Sequence, residues 1–306
     1  MNILALGGNG FLGWHLVNEL AAAGHRVTVL GRRAEPQRPL PNNAEYVSVN
    51  LSDRPALVQL LTGIDAVAHL ASATVPSTGD KDKVADVQIN LVGTLNLLEA
   101  MIQSGCRRLL FVSSGGTVYG IPQHIPIHEH HTLAPICSYG IVKVAIESYL
   151  ALFARTHAMK CLILRASNPY GPCQGNLGVQ GIIGTYLGRA REGQPIEIWG
   201  DGSAIRDYIY VGDLARLGRL AIEGEASGVF NAGSGMGSSV AEVAECVRRV
   251  TGREVPVLNR PGRTFDVPIS VLDISKAKTT FNWQPRIGLE EGISKTWRWL
   301  EETSRA

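Results

Sequence analysis

A five-residue apolar run, Asn2-Ile3-Leu4-Ala5-Leu6, breaks into Gly7-Gly8-Asn9-Gly10-Phe11-Leu12-Gly13. It then continues as FLGWHLVNELAAAG over 11–24, a stretch with helical periodicity and a capping glycine at Gly24. Glycines at 7, 10 and 13 therefore stand between a strand and a helix. There they permit a tight turn and let the backbone approach a pyrophosphate. The helix N-terminus adds N–H donors and a partial positive charge. A glycine pattern alone is weak, but in this setting it predicts a dinucleotide site; the alternative is a tight turn that binds nothing.

The alternation continues. RVTVL (26–30), YVSV (46–49), DAVAHL (65–70), RLLFV (108–112) and KCLILR (160–165) read as strands, with helical stretches near 53–62, 84–104 and 138–157. The rhythm predicts an α/β fold with a Rossmann-type doubly wound parallel sheet. From 166 the loop ASNPYGPCQGNLGVQG and shorter elements follow, ending in the amphipathic LEEGISKTWRWLEE. The expectation is a dinucleotide domain over 1–165, joined by parts of 207–235, and a smaller C-terminal α/β substrate domain over 166–306.

Composition narrows the function classes. With 306 residues, 45% hydrophobic and 18% charged, the chain suits a globular enzyme. A net charge of +2 is too small to make nucleic acid the main partner. No apolar run reaches membrane-spanning length, so no membrane partner is expected. The N-terminus reads as a strand rather than a signal peptide, and the five scattered cysteines lack a CxxC. Both point to the cytoplasm and to no metal framework. His124, His128, His130 and His131 crowd one Pro-containing loop without clear ligand geometry and are read as a solvated loop. Trp283, Trp297 and Trp299 are read as packing residues.

Two local patterns carry chemistry. The second strand ends in Gly31-Arg32-Arg33, where an acid usually holds the adenosine ribose. Losing the carboxylate and gaining guanidinium groups favours a 2′-phosphate, hence NADP over NAD. A solvated basic loop remains the alternative. Further on, Tyr139 and Lys143 lie one helical turn apart. With 8 Tyr, such a pair arises by chance about 0.2 times, so the spacing persuades only beside the glycine loop.

GGNGFLG, HLAS (69–72), NLVGTLNLLEA (90–100), FVSSGGTVYG (111–120), SYGIVK (138–143), RASNPYGP (165–172), GDGSAIRDYIYVGDLA (200–215), PGRTFDVP (261–268) and FNWQPRIGLEEGI (281–293) together resemble the extended short-chain dehydrogenase/reductases, in particular the nucleotide-sugar epimerases. The resemblance spans nearly the whole chain. It implies that Gly7, Gly10, Phe11, Leu12 and Gly13 hold the pyrophosphate of NAD(P), that Leu51 flanks the adenine, and that Leu70, Ala71, Ser72 and Ser113 line the cofactor. It places Asn90 beside the catalytic helix and makes Tyr139 and Lys143 the catalytic pair, both also touching the cofactor. Ser114, Asn168, Gln180, Arg206, Arg263 and Asp266 would face a UDP-sugar or other NDP-sugar.

In that chemistry Tyr139 takes the proton from a sugar hydroxyl while hydride leaves the same carbon. A free phenol, with a pKa near ~10, is too weak a base, so Lys143 and the nicotinamide ring are expected to lower it. The family's Ser or Thr four residues before the Tyr of VYG is Gly115 here; the nearest hydroxyls are Ser114 and Thr117, and Thr117 is the expected substitute donor unless it only packs. Gly116-Thr117 also stands where dehydratases of the group carry an acidic pair, which leaves epimerase or reductase.

The loop from Ala166 to Ile183 has no Lys, Arg or His, which disfavours a uronate. Ser270 stands where a bulky tyrosine would close the pocket near the sugar C2, unless it faces solvent. The expectation is a UDP-glucose/UDP-galactose 4-epimerase tolerating N-acetylated sugars. The alternatives are an NADPH-dependent keto-sugar reductase or a dinucleotide sensor without catalysis. Apolar faces near 87–103 and 141–157 suit a homodimer, or burial within one subunit.

Overall fold

The apolar runs become strands and the periodic stretches helices in a computed structural model that describes residues 1–175, 181–262 and 267–303. In chain order come β1 (Asn2–Leu6), α1 (Phe11–Ala22), β2 (Arg26–Gly31), β3 (Ala44–Ser48), α2 (Arg54–Leu61) and β4 (Ala66–His69). Next are the single turns α3 (Pro76–Gly79) and α4 (Lys83–Asp86), a π-helical turn (Val87–Val92), α5 (Gly93–Ser104), β5 (Arg108–Ser114), α6 (Ser138–His157) and β6 (Lys160–Ala166). The remainder is β7 (Asn168–Tyr170), α7 (Ile182–Glu192), β8 (Ile196–Trp199), β9 (Ile205–Tyr210), α8 (Val211–Glu223), β10 (Gly228–Ala232), β11 (Gly237–Ser239), α9 (Val240–Thr251), β12 (Val257–Arg260), β13 (Ile269–Ser270), α10 (Ser275–Phe281) and α11 (Leu289–Glu302).

The chain divides into two compact units. The first comprises Met1–Val118, Pro135–Arg165 and Ala215–Phe230. Its seven-stranded sheet has the order β10-β6-β5-β4-β1-β2-β3. β1 pairs in parallel with β2 and with β4, placing Ile3 opposite Val27 and Ala66. The order reverses at β1, and at such a reversal the crevice beyond the strand ends takes ligands. β4 is buried at every position, as a strand covered on both faces must be. Leu4, Leu30, Val67, Leu97, Phe111 and Ile146 form the core of this unit.

The helix expected over 84–104 is instead α4, a π-helical turn and α5. Across the junction the Thr94 hydroxyl donates to the Asn90 carbonyl at 2.5 Å.

The second unit comprises Tyr119–Ala134, Ala166–Leu214 and Asn231–Ala306. β9 is its organiser, pairing with β7 and β13 in parallel and β11 antiparallel. Tyr170, Tyr186, Leu187, Val243, Val247 and Trp297 pack its core. Trp283 is buried too, its indole N–H donating to the Asp213 carbonyl at 3.1 Å.

Residues 119–134, expected in the first domain, cluster with the second unit. Ile127 N–H donates to Val271, and Asp273 N–H donates to Ile127, both at 2.8 Å. His131, one of the four loop histidines, is buried rather than solvated. Its Nε2 accepts from Gln123 N–H at 3.0 Å and its ring packs edge-on against Tyr119. Among the described residues no three His, Cys, Asp or Glu could hold a metal, and no helix is long and apolar enough to cross a membrane.

Candidate active site

The glycine loop is shaped by what it leaves out. Gly7 has φ +79°, and a Cβ there would lie 2.8 Å from Ala71 Cα. A Cβ at Gly13 would lie 2.1 Å from the Gly7 carbonyl oxygen. The loop and the start of α1 can therefore close only without side chains. α1 begins after Gly10 with no side-chain cap and no acid in its first turn, leaving its N–H groups and dipole for an anion. Phe11 and Leu12 are half-buried in that turn, and Leu70 N–H donates to Leu6 at 2.9 Å, bringing the 70–72 segment alongside. This cradle fits the pyrophosphate of a dinucleotide.

At the end of β2 the structure adds something the sequence did not show. A Cβ on Gly31 would lie 2.2 Å from the Tyr46 hydroxyl, which donates to the Arg33 carbonyl at 2.9 Å. The acid is thus not merely missing at Gly31; Tyr46 stands in its place. Arg32 beside it is exposed. The following loop is strapped to the glycine loop, because Asn9 accepts from Arg38 N–H at 3.2 Å and the Arg38 guanidinium donates to the Asn9 carbonyl at 2.7 Å. Leu51 packs on Gly93.

In the same unit α6 carries the pair. Lys143 is 5% exposed; its ammonium donates to the Val112 carbonyl at 3.0 Å and lies 4.5 Å from the Phe111 ring centre. Burial pushes its pKa down to about 8, against the opposing charges of Glu147 and Asp86. Its charge and, more strongly, burial drive the His69 imidazole down to about 3, so that ring is neutral.

Tyr139 departs from expectation. Burial raises its phenol above the ordinary value, Cys137 and Asp86 add to this, and only a hydrogen bond from Ser114 opposes it. Lys143 lies under the ring, 5.5 Å from its centre, with one of its N–H groups donating to the Val112 carbonyl. The expected lowering does not prevail in the protein's own groups, because burial outweighs it.

Of the two nearby hydroxyls, Ser114 is the one that acts on the phenol, favouring its ionised form. Thr117 packs under Gly140, and its buried Oγ1 finds no hydrogen-bond partner among the described residues. Ser113 is also redirected. Its hydroxyl donates to Glu147 at 2.5 Å, and Glu147 pairs with Arg165 at 2.6 Å, all three buried. Its side chain is thus committed to a buried ion pair. Asn90 acts through the 70–74 segment, accepting from Ala73 N–H at 2.9 Å, while the exposed Ser72 hydroxyl donates to the Thr74 carbonyl. Sequence reading missed Asp86, which is fully buried beside this corner; a lone Asp inside a helical stretch gave no signal.

The second unit holds a cavity of about 250 Å³ lined by Asn168, Tyr186, Trp199, Arg206 and Tyr208 among others. Asn168 Nδ2 donates to the Asp207 carbonyl at 2.9 Å, and Arg206 donates to the Ile205 carbonyl at 2.9 Å. The Tyr208 hydroxyl is buried without a hydrogen-bond partner among the described residues. Trp199, 45% exposed, offers an indole face that sequence reading passed over. Ser270 is 6% exposed and sits opposite Arg206 in the β13–β9 ladder, so it does not face solvent. Gln180, Arg263 and Asp266 lie outside the described residues.

A side-chain-free loop before a helix, at the reversal of a parallel sheet and with a Tyr–Lys pair in the same unit, defines a dinucleotide-dependent protein of the short-chain dehydrogenase/reductase type. A profile of the NAD-dependent epimerase/dehydratase family matches residues 3–233, and the chain belongs to that family. The UDP-glucose 4-epimerase of Mycolicibacterium smegmatis is 32% identical over 321 residues, covering 100% of both chains. A UDP-glucose 4-epimerase from Thermotoga maritima, solved with UDP-glucose, superposes with a TM-score of 0.95 at 34% identity, covering 99% of this chain and 100% of that one. The Thermus thermophilus UDP-glucose 4-epimerase, solved with NAD, gives 0.91 at 33% identity over 98% and 99%. The expected membership among the extended nucleotide-sugar epimerases is borne out.

Proposed function

We propose that this protein is a UDP-sugar 4-epimerase acting by transient oxidation at the sugar C4. The observation that carries the reading is the buried Tyr139 phenol, with the Lys143 ammonium 5.5 Å from its ring centre and one turn away, in the unit that holds the glycine cradle. A bound nicotinamide dinucleotide supplies the hydride acceptor and donor for C4, and its positive ring favours the phenolate. Tyr139 takes the proton of the C4 hydroxyl as a 4-keto sugar forms, and returns it when the alcohol re-forms on the opposite face. Lys143 adds positive charge beneath the phenol ring, and Ser114 stabilises the phenolate by donating to it. With burial, and then Cys137 and Asp86, raising the phenol, the base becomes competent only when positive charge joins it.

The pocket of Trp199, Arg206 and Tyr208 suits a nucleotide: an indole to stack on a base, a guanidinium for a phosphate, a buried hydroxyl for a polar atom. The sugar reading remains UDP-glucose/UDP-galactose, with the N-acetylated pair tolerated and UDP-glucuronate poor. Comparing kcat/KM for the three pairs tests it. A uronate as best substrate would refute the charge argument, and an unchanged profile in Ser270→Tyr would refute the size argument.

For the cofactor, Tyr46 in the acid's place and the exposed Arg32 favour NADP. Arg32→Ala is expected to weaken NADP more than NAD by about 1–3 kcal/mol in a binding titration. Equal losses would sink that preference. The same feature favours a second reading, a keto-sugar reductase drawing on exchanging NADPH. Oxidised cofactor retained through purification, with no net consumption, supports the epimerase; an empty site with NADPH consumption supports the reductase.

Val87, Ile89, Ile141, Tyr149 and Leu152 expose apolar surface on the π-helical turn and α6, which supports a homodimer through this face. A monomer by sedimentation equilibrium would refute it.

A further inference from the structure

We propose that Asp86 is the positioning residue of the catalytic corner. Its one buried carboxylate fixes the segment after β4, the π-helical turn and the first turn of α6 against one another, and so sets where Tyr139 stands.

The geometry begins with a missing cap. α6 starts after Cys137, whose side chain makes no cap hydrogen bond. Its first donor is satisfied from elsewhere in the chain: Ser138 N–H donates to Asp80 at 2.9 Å. The Ser138 hydroxyl donates to Asp86 Oδ2 at 2.8 Å. Asp80 thus does what a local Ser or Asp does for most helices, and Asp86 holds the side chain of the same residue. The residue they seat is the neighbour of Tyr139.

The other oxygen of Asp86 turns to the segment after β4 and to the π-helical turn. Oδ1 accepts from the Thr74 hydroxyl at 2.7 Å and from Asn90 Nδ2 at 2.8 Å. Asn90 in turn accepts from Ala73 N–H, within the segment whose Ala71 meets Gly7. A continuous path therefore runs from the glycine loop through Ala71, Ala73, Thr74 and Asp86 to Ser138 and Tyr139. Gly79 closes it sterically, since a Cβ there would lie 3.0 Å from Asp86 Oδ2 and 3.2 Å from Tyr139 N. Asp86 is 0% exposed, so water does not share these bonds. The π-helical turn begins at the next residue and carries Asn90. Such turns often stand at functional sites, where they re-aim a side chain.

The carboxylate also acts at a distance. Its charge raises both the Tyr139 phenol and the Lys143 ammonium. The other groups facing the corner are Asp80 and Cys137 at the start of α6, Glu147 one turn beyond Lys143, and neutral His69 on β4. Removing the Asp86 charge lowers both groups, so both limbs of the pH–rate profile move toward acid.

The test uses Asp86→Asn and Ser138→Ala in the full-length protein, with dinucleotide and UDP-galactose. Asp86→Asn is expected to lower kcat at least about tenfold with a smaller change in KM, because misplacing the base costs the reaction more than binding. Its profile shifts toward acid. Ser138→Ala is expected to lower kcat several-fold without a shift, because the carboxylate remains. A folded Asp86→Asn with wild-type kcat and an unmoved profile overturns the proposal. Should Asp86→Asn not fold, Ser138→Ala at wild-type kcat overturns it. The assay rests on the epimerase reading, but the phenol can also be titrated by ultraviolet difference against Tyr139→Phe. There the Asp86→Asn shift toward acid is read without turnover, so an inactive wild type would fail the epimerase reading and leave this inference to be judged by that shift.

Discussion

Lys143 and Tyr208 are both buried polar side chains, one in each unit, and their surroundings differ. The Lys143 ammonium has the Val112 carbonyl, the Phe111 ring and the charges of Glu147 and Asp86. The Tyr208 hydroxyl, beside a cavity of about 250 Å³, has no hydrogen-bond partner among the described residues. A buried polar group without a partner costs stability, so Tyr208 is better satisfied by a ligand than by the fold. The proposed catalytic corner is arranged in advance by the chain, whereas the proposed nucleotide pocket holds capacity in reserve. A reacting group must be placed before substrate arrives; a binding group can complete its bonds on arrival.

The largest expected effect lies in the arranged corner. Tyr139→Phe keeps the ring and removes the base, so turnover should fall about 10²–10⁴-fold while a titration finds dinucleotide binding intact. A Phe variant with near-normal turnover would end the catalytic assignment. Next is pH dependence. Lys143 is depressed to about 8, so its positive charge is present below that pH and lost as pH rises through it. Activity should decline above pH 8 by about tenfold per unit, and Lys143→Met should show a low rate without that limb. A profile flat to pH 10 in the wild type would contradict the assignment.

The pocket should respond more gently. Arg206→Ala is expected to weaken UDP by about 10–100-fold, the equivalent of a charge-assisted contact of about 1.5–3 kcal/mol. Calorimetry with UDP alone checks this, and unchanged affinity would remove Arg206 from the site. The smallest effect is the most diagnostic. Tyr208→Phe should weaken UDP by about 0.5–1.5 kcal/mol yet raise the Tm of the ligand-free protein by about 1–3 °C, because an unsatisfied hydroxyl is deleted. A lower Tm would show that the fold itself uses that hydroxyl.

The sequence by itself determined what is local. β1, the glycine loop and α1 follow from an apolar run, three glycines and a helical period, each acting over a few residues. The 138–157 helix and the Tyr139–Lys143 spacing were legible for the same reason, since one turn of helix fixes which side chains share a face. Family motifs extended that reading to Asn168 and Arg206, which do line one pocket.

Only the tertiary structure decided what depends on residues distant in sequence. Tyr46 occupies the space beside Gly31 because β3 pairs with β2 in a register that sets Val29 opposite Tyr46. Ser114 acts on the phenol, while the chain beyond β5 sets Thr117 under Gly140. Asp86 matters because Ser138, fifty-two positions along, donates to it. Residues 119–134 join the second unit because Ile127 bonds to Val271 and Asp273. Local propensity and period carry no information about such partners. They are selected when burial leaves a donor or carboxylate no water to bond, and the nearest group in space must take its place.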